Sequence, residues 1–461
     1  MMPGNRRTPI RCNEMVLNPA ATVHNGSGCW EMRGELTAKQ PPPSHARRLF
    51  YLKEACKLMA EHILVTYLTQ AKDLLKKAEA VAVGMTVGSW TDLPAAKQEE
   101  LRPYLGAAVG AQPLEQLENG ETRGLITVSY PVGNFTRDIP SLLTGIFGKL
   151  SMDGKIKLVD IQLPPSFLQG FPGPKFGIDG LRNLLGVHDR PLLMSIFKSC
   201  LGLPFDDLKT QFRAQAEGGV DLVKDDEIFF ADERAPFLER IQAFKRISQE
   251  IEETQGRKVL YAANLTGPVH ELNDRAKRAV EAGADCLLFN GLAFGLDALH
   301  RLAADPDVTI PIMAHPALAG AYYPSPDYGI AAPLLLGTLM RIAGADLVLF
   351  PSPYGNVAME KQEALRLASN LVTAEIGVKR AFPVPSAGIH PGLVPQLYAD
   401  FGLDQVVNAG GGIHGHPGGA SAGAQAFVAA IKGVVAGKTL QETAQESEPL
   451  AQALAKWGGG K

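Results

Sequence analysis

The chain has 461 residues, 46% of them hydrophobic and 20% charged, with 48 Gly and 33 Pro, which excludes both a disulfide-stapled miniature and a chain that stays unfolded. Its 45 Lys and Arg against 48 Asp and Glu leave a net charge of -3, so there is no electrostatic footprint for nucleic acid or an anionic membrane, and a small-molecule partner is expected. The five cysteines, Cys12, Cys29, Cys56, Cys200 and Cys286, form no CxxC pair; neither a disulfide framework nor a thiolate zinc site is indicated, and a cytoplasmic location fits.

Residues 1–60 differ from the rest. The first 50 carry 7 Lys or Arg against 3 Asp or Glu, and Pro41-Pro42-Pro43 interrupts any helix; a poorly ordered extension is expected. The opening MMPGNRRTPIRCNEM lacks the apolar stretch of a secretory signal, and no later apolar run approaches the ~20 residues of a membrane span.

From Ile63 the chain reads as compact units: ILVTYL as a strand, DLLKKAEAVAVGM as a helix, LITVSYP at 125–131 as a strand, IPSLLTGIFGKL at 139–150 as a helix and IKLVDIQL as a strand. This predicts a small ferredoxin-like α+β domain over 61–170. The Pro- and Gly-rich LPPSFLQGFPGPKFG then leads into a larger domain over 171–461.

Eight short apolar runs recur in that larger domain. They are LLMSIFK ending at Lys198, VDLVKD at Asp225, VLYAANL at Leu265, CLLFN at Asn290, IPIMAH at His315, LVLFPS at Ser352, AFPVPS at Ser386 and VVNAGGG at Gly412. Near-continuous apolar strands alternating with helices predict a parallel sheet buried on both faces, and eight of them predict an α/β fold of the (β/α)8 TIM-barrel type, followed by C-terminal helices. An open doubly wound sheet is the alternative. Almost every run finishes in a residue able to bind, coordinate or move protons, and barrel active sites lie at that end of the strands. An enzyme is therefore favoured over a binding scaffold.

Two clusters carry the chemistry. In Lys224-Asp225-Asp226-Glu227 three carboxylates and an amine are expected to converge at the barrel mouth, with strand alternation putting Lys224 and Asp226 on one side and the turn bringing Glu227 to join them. Such a set suits a hard divalent cation, Mg²⁺ above all. Lys224 could serve as a counter-ion or take up CO₂ as a carbamate, and the sequence leaves both open. In VVNAGGGIHGHPGGASAG, Gly410, Gly411 and Gly412 precede a helix and present free backbone N–H groups, an anion site that predicts a phosphorylated substrate. Ser386 and Gly388 can add a hydroxyl and a close backbone approach to the same group. Structural roles are expected for His414 and His416.

GGVDLVKDDE, RPLLMSIFKSCLGLP, PIMAHPALAGAY, PVPSAGIHPG and NAGGGIHGHPGGASAG resemble the large chain of ribulose bisphosphate carboxylase (RuBisCO). TVGSWTDLP, FGKLSMDGKIKL, FPGPKFG and FPSPYG resemble in particular the RuBisCO-like branch that acts in methionine salvage. The resemblance runs from about residue 63 to the C-terminus. It implies that Lys224 is carbamylated by CO₂, that Asp226 and Glu227 complete the ligands of one Mg²⁺ per subunit, and that Lys198 and His315 contact substrate. It also implies that Gly388, Gly410 and Gly411 hold phosphate, and that Lys149, in FGKLS, is the catalytic base. Because Lys149 and the metal cluster fall in different domains, it implies a homodimer with the active site at the subunit interface, to which Ser89 and Trp90 would contribute.

Departures from the carboxylase matter as much. Cys200 stands where the carboxylase has a second lysine, PSPYGNVAM lacks its mobile-loop lysine, and Gly84 and Gly145 replace a Glu and an Asn. Carboxylation is not expected. What the resemblance implies instead is enolisation of 2,3-diketo-5-methylthiopentyl-1-phosphate, with action on another sugar phosphate or a non-catalytic sensor as the rivals.

Overall fold

In HILVTYLTQA the alternate residues Ile63, Val65 and Tyr67 are apolar, and His62–Ala71 (β1) accordingly buries them on one face, with Thr69 following in the same phase. A computed structural model of the chain describes residues 61–88, 93–198, 200–230, 233–355 and 357–459. The expectations for residues 1–60, for Cys12, Cys29 and Cys56, and for Ser89 and Trp90 lie outside the described residues.

After β1, Asp73 opens the helix Leu74–Gly84 by accepting from the N–H groups of Leu75 and Lys76. Then come β2 (Ala107–Gln116), β3 (Thr122–Pro131), the helix Ile139–Phe147 and β4 (Ile156–Gln162). The order β4-β1-β3-β2 with antiparallel neighbours is the βαββαβ arrangement of a ferredoxin-like domain, as expected. Strand β2 has no counterpart in the sequence reading. AAVGAQPLEQ lies at the sheet edge with most of its residues exposed, so nothing selects an apolar face, and its Gly110 and Pro113 read as breakers. The helix expected over 139–150 ends at Phe147; Lys149 occupies a separate 3₁₀ turn, Lys149–Met152.

The eight predicted barrel strands are all present: β5 (Leu192–Ile196), β6 (Leu222–Lys224), β7 (Leu260–Asn264), β8 (Cys286–Phe289), β9 (Ile312–Ala314), then, after a short β10 (Gly329–Ile330), β11 (Leu347–Pro351), β12 (Phe382–Ser386) and β13 (Val406–Ala409). Hydrogen-bonded neighbours in the order β12-β11-β9-β8-β7-β6-β5-β13 are parallel, and helices such as Phe205–Glu217, Phe237–Gln255 and Gly419–Val435 cover the outside. Between β12 and β13 the ring is bridged by Asn408, whose Nδ2 donates to Ser386 Oγ over 2.8 Å.

The barrel interior is filled by Leu192, Met194, Leu222, Leu260, Ala262, Cys286, Leu288, Met313, Leu347, Leu349, Phe382, Val384 and Val406. Its floor is the helix Gly177–Leu185, which contributes Ile178, Leu181 and Leu185 to the same cluster. Asp346 fixes that floor: one carboxylate oxygen accepts from the N–H groups of Phe176 and Gly177, the other from that of Ile312.

Strand β10 leaves the barrel altogether and pairs in parallel with β4, Gly329 opposite Lys157 and Ile330 opposite Leu158. Arg123 meets Asp327 at 3.1 Å, and Lys157 Nζ donates to the carbonyls of Tyr323 and Ser325. The small sheet and the barrel thereby belong to one compact unit.

Candidate active site

The two-residue strand period decides which side chains reach the barrel mouth. The inward positions 192 and 194 continue to 196 and Lys198, 222 to Lys224 and Asp226, 260 and 262 to Asn264, 286 and 288 to Asn290, 313 to His315, 382 and 384 to Ser386, and 406 to Asn408 and Gly410. Polar chemistry is therefore stacked directly on an apolar plug that closes the barrel from below.

Lys224 is fully buried. Its Nζ donates to the carbonyl of Asp225 over 2.8 Å and stands 3.8 Å from Glu227 Oε2. Burial pushes the amine below its ordinary range, against the pull of Glu227, Asp226 and Asp225. Asp226 Oδ2 lies 3.6 Å from Lys198 Nζ, and Glu227 Oε2 lies 3.4 Å from His315 Nε2. His315 Nδ1 accepts the N–H of Ala317 over 3.2 Å, which leaves the ring proton on Nε2, toward Glu227. Burial, reinforced by the charge of Lys224, pushes its pKa down to about 3, so the ring is neutral at physiological pH.

One expectation is corrected here. Asp225 does not converge with the other carboxylates but points outward, between strands and helices, as its odd register requires. There it accepts from Tyr261 OH over 2.6 Å, from Arg240 over 3.0 Å and from the Asn264 N–H over 2.9 Å. Arg240 and Asp225 are both fully buried, and the guanidinium lies 4.0 Å above the Phe229 ring. Burial alone would lower the Arg240 pKa; Asp225 and Tyr261 outweigh it and raise it. Removing one partner strands the other, so Arg240→Leu is expected to destabilise the fold by about 3–5 kcal/mol, read as a lower urea midpoint at unchanged slope. An unchanged midpoint would show that the pair does not anchor the loop.

The loop 225–227 is also held from its far side. Asn264 Nδ2 donates to the carbonyls of Asp226 (3.3 Å) and Glu227 (2.9 Å), and its Oδ1 accepts from Thr266 Oγ1 over 2.7 Å. Asn290 Nδ2 donates to Thr266 Oγ1 over 2.8 Å and to the Glu227 carbonyl over 3.3 Å. Asn264 and Thr266 were not picked out from sequence. The signal that could have found Asn264 is the strand period, since ending β7 at Leu265 selects an outward residue.

Among the described residues no three His, Cys, Asp or Glu side chains gather into a ready metal cage. The mouth offers two carboxylates, Asp226 and Glu227, beside an amine that burial holds toward its neutral form. A neutral amine can add CO₂ to form an anionic carbamate, so the donor set fits a hard cation once Lys224 carries that oxygen pair.

The residues expected to bind the anion come from adjacent strands. Ser386 Oγ donates to the Val384 carbonyl and accepts from Asn408. Gly388 is exposed with φ 69°. Gly410 faces Lys198 so closely that a Cβ there would stand 2.5 Å from Lys198 Cε, whereas Gly411 opens onto free space at the start of the turn Gly411–His414. His414 Nε2 donates to the Ile196 carbonyl over 3.0 Å and His416 Nε2 to the Pro449 carbonyl over 2.8 Å, the structural roles expected of them.

Lys149 is not brought to these residues within one chain. It is exposed on the small domain and lines a cleft of about 360 Å³ with Lys77, Val81, Gly84, Met85 and Met152, all small-domain residues. Gly84 has nothing within 4 Å of where a Cβ would be, while at Gly145 that space is taken by the Phe135 ring at 2.5 Å. Cys200 is buried, and burial, with the charges of Asp226 and Asp225, pushes its thiol up to about 11. It therefore stays neutral at physiological pH.

The sequence profile of the ribulose bisphosphate carboxylase large chain matches this chain twice, its N-terminal domain over residues 51–167 and its catalytic domain over residues 177–457. A 2,3-diketo-5-methylthiopentyl-1-phosphate enolase from Geobacillus thermodenitrificans is 53% identical over 404 residues, covering 86% of this chain and 98% of that protein. The enzyme of the same name from Bacillus velezensis is 53% identical over 397 residues, with the same coverage of each. Among solved structures, the RuBisCO-like protein MtnW from Alicyclobacillus acidocaldarius superposes with a TM-score of 0.82 at 51% identity, covering 86% of this chain and all of that one (100%). A dimeric archaeal RuBisCO from Hyperthermus butylicus superposes with a TM-score of 0.77 at 30% identity, covering 87% and 96%.

Proposed function

The chain belongs to the ribulose bisphosphate carboxylase large-chain family, and from that premise we propose that it is an enzyme of methionine salvage that enolises 2,3-diketo-5-methylthiopentyl-1-phosphate to 2-hydroxy-3-keto-5-methylthiopentenyl-1-phosphate, an isomerase reaction without carboxylation. The observation that carries the reading is the buried amine of Lys224 beside Asp226 and Glu227, with an anion cradle of glycines on neighbouring strands.

Lys224, as its CO₂ carbamate, would hold one Mg²⁺ per subunit with Asp226 and Glu227, and the ion supplies Lewis acidity to adjacent carbonyl oxygens. The chain's own residues do the rest. Gly388, Gly410 and Gly411 take the phosphate through backbone N–H groups, with Ser386 beside them. Lys198, held 3.6 Å from Asp226, presents a cation between phosphate and carboxylates. His315 offers its Nε2 proton as a neutral donor to substrate oxygen. Lys149 removes the C1 proton, and the electron pair moves into the new C1–C2 double bond while the C2 oxygen gains a proton. Cys200, a neutral thiol, supplies neither the charge nor the basicity of a lysine, which favours enolisation over carboxylation.

Because Lys149 lies in a cleft of the small domain, a homodimer in which the partner presents it to the barrel mouth completes the site. The apolar rim supports this: Leu201, Ile228 and Phe230 stand 56%, 49% and 44% exposed on the mouth loops, and Met152 beside Lys149 is 81% exposed.

The test is ultraviolet absorbance of freshly generated diketone phosphate with purified protein. Enol formation is expected to require Mg²⁺ and to rise on preincubation with bicarbonate. The rise should be larger at higher pH, because the neutral Lys224 amine that takes up CO₂ gains population as pH increases. No conversion by folded, Mg²⁺- and bicarbonate-treated protein would exclude this substrate.

A further inference from the structure

Among the described residues only two non-glycines hold a left-handed backbone, Leu318 at φ 71° and Ala387 at φ 72°, and both sit in loops that leave barrel strands at the mouth. Ala387 belongs to the anion-binding turn, where its carbonyl occupies the space a side chain on Gly355 would need. Leu318 has no such account. It stands in a turn closed by the Ala319 N–H on the Pro316 carbonyl over 2.9 Å, and its own carbonyl accepts from Ala321 over 2.9 Å. Glycine or asparagine adopts this conformation with less strain. The chain instead places a large apolar side chain there, leaves it 58% exposed, and includes it in neither apolar core.

Strain kept at a site rim points to a contact made there, and the strand order says with what. The anion cradle spans β5, β12 and β13. Strand β9, whose end carries His315 and then Leu318, lies opposite β5, four places round a ring of eight, and stands three places from β13 and two from β12. His315 faces Glu227 at 3.4 Å, so this loop borders the carboxylates, across the mouth from the β5 end where Lys198 stands beside Gly410. A substrate with phosphate on the glycines and its diketone at the carboxylates directs its remaining tail toward β9. That tail is an apolar thioether in the reaction proposed above, on which this inference rests.

We propose that Leu318 is the specificity-determining contact for the methylthio end of the substrate. Leu318→Gly removes the side chain while easing the backbone, and Leu318→Asn keeps a residue tolerant of that backbone but polar, so both variants are expected to fold. The measurement is kcat/KM for the methylthio diketone phosphate and for 2,3-diketopentyl-1-phosphate, which lacks the methylthio group, with dimer mass by light scattering. Both variants should lose roughly tenfold on the methylthio substrate, chiefly in KM, and little on the shorter one. Parallel losses on both substrates, no loss on either, or a shift to monomer would overturn the assignment. Wild-type protein that enolises neither compound overturns the enolase reading itself and this inference with it; active wild type with indifferent variants overturns the Leu318 contact alone.

Discussion

Lys149→Ala is expected to lower turnover of 2,3-diketo-5-methylthiopentyl-1-phosphate by about 10²–10⁴-fold, the range a positioned acid–base group contributes. The loss should fall in kcat, because the glycines proposed to hold phosphate and the carboxylates lie on the barrel, away from the cleft that Lys149 lines. Lys149 is exposed within the subunit, so its truncation leaves the melting temperature near wild type. Bicarbonate-dependent Mg²⁺ binding, followed by calorimetry, should survive. The variant also tests where the site is assembled. Mixed and re-equilibrated with protein altered at Lys224, it should recover about a quarter of wild-type activity, because half of the dimers then hold one intact pair of Lys149 and Lys224 contributed by different chains. Absence of recovery, with subunit exchange shown by mass, would place both residues' work within one chain.

Lys224→Met is expected to abolish enolisation for the opposite reason. Lys224 is fully buried, and methionine fills similar volume without an amine to desolvate, so the variant should be at least as stable as wild type. What it loses is the amine proposed to take up CO₂. Asp226 and Glu227 remain but two carboxylates make a poor cage, so Mg²⁺ affinity should fall by at least about 10-fold and bicarbonate should no longer stimulate. Retained bicarbonate stimulation in this variant would show that the carbamate forms elsewhere.

Much of this molecule is legible in its sequence because a barrel strand buried on both faces is written as a continuous apolar run, and all eight such runs became strands. Strand ends were harder to place. The apolar run VDLVKD extends to Asp225, and only the register, with Leu222 in the interior and Tyr261 and Arg240 outside, shows that Asp225 belongs to the layer behind the site. The same one-residue overrun hides Asn264, because VLYAANL extends to Leu265 whereas β7 ends at Asn264. Elements without an apolar face left no trace: β2 is solvent-facing, and β10 is two residues whose meaning lies in a partner about 170 positions earlier. Leu318 was equally silent, since a backbone angle is not written in residue type.

The pairing of β10 with β4 also bears on how the chain acquires its shape. The small sheet has the sequence of a self-sufficient ferredoxin-like unit, yet one edge strand arrives only with residues 329–330. During synthesis β4 would stand as an open edge while the first five barrel strands emerge, a template for pairing with another nascent chain. A fragment cut after residue 170 keeps that edge permanently, along with a Lys157 amine deprived of the Tyr323 and Ser325 carbonyls. Such a fragment should therefore self-associate rather than persist as a soluble monomer, which makes the barrel, besides its chemistry, a chaperone for the domain that precedes it.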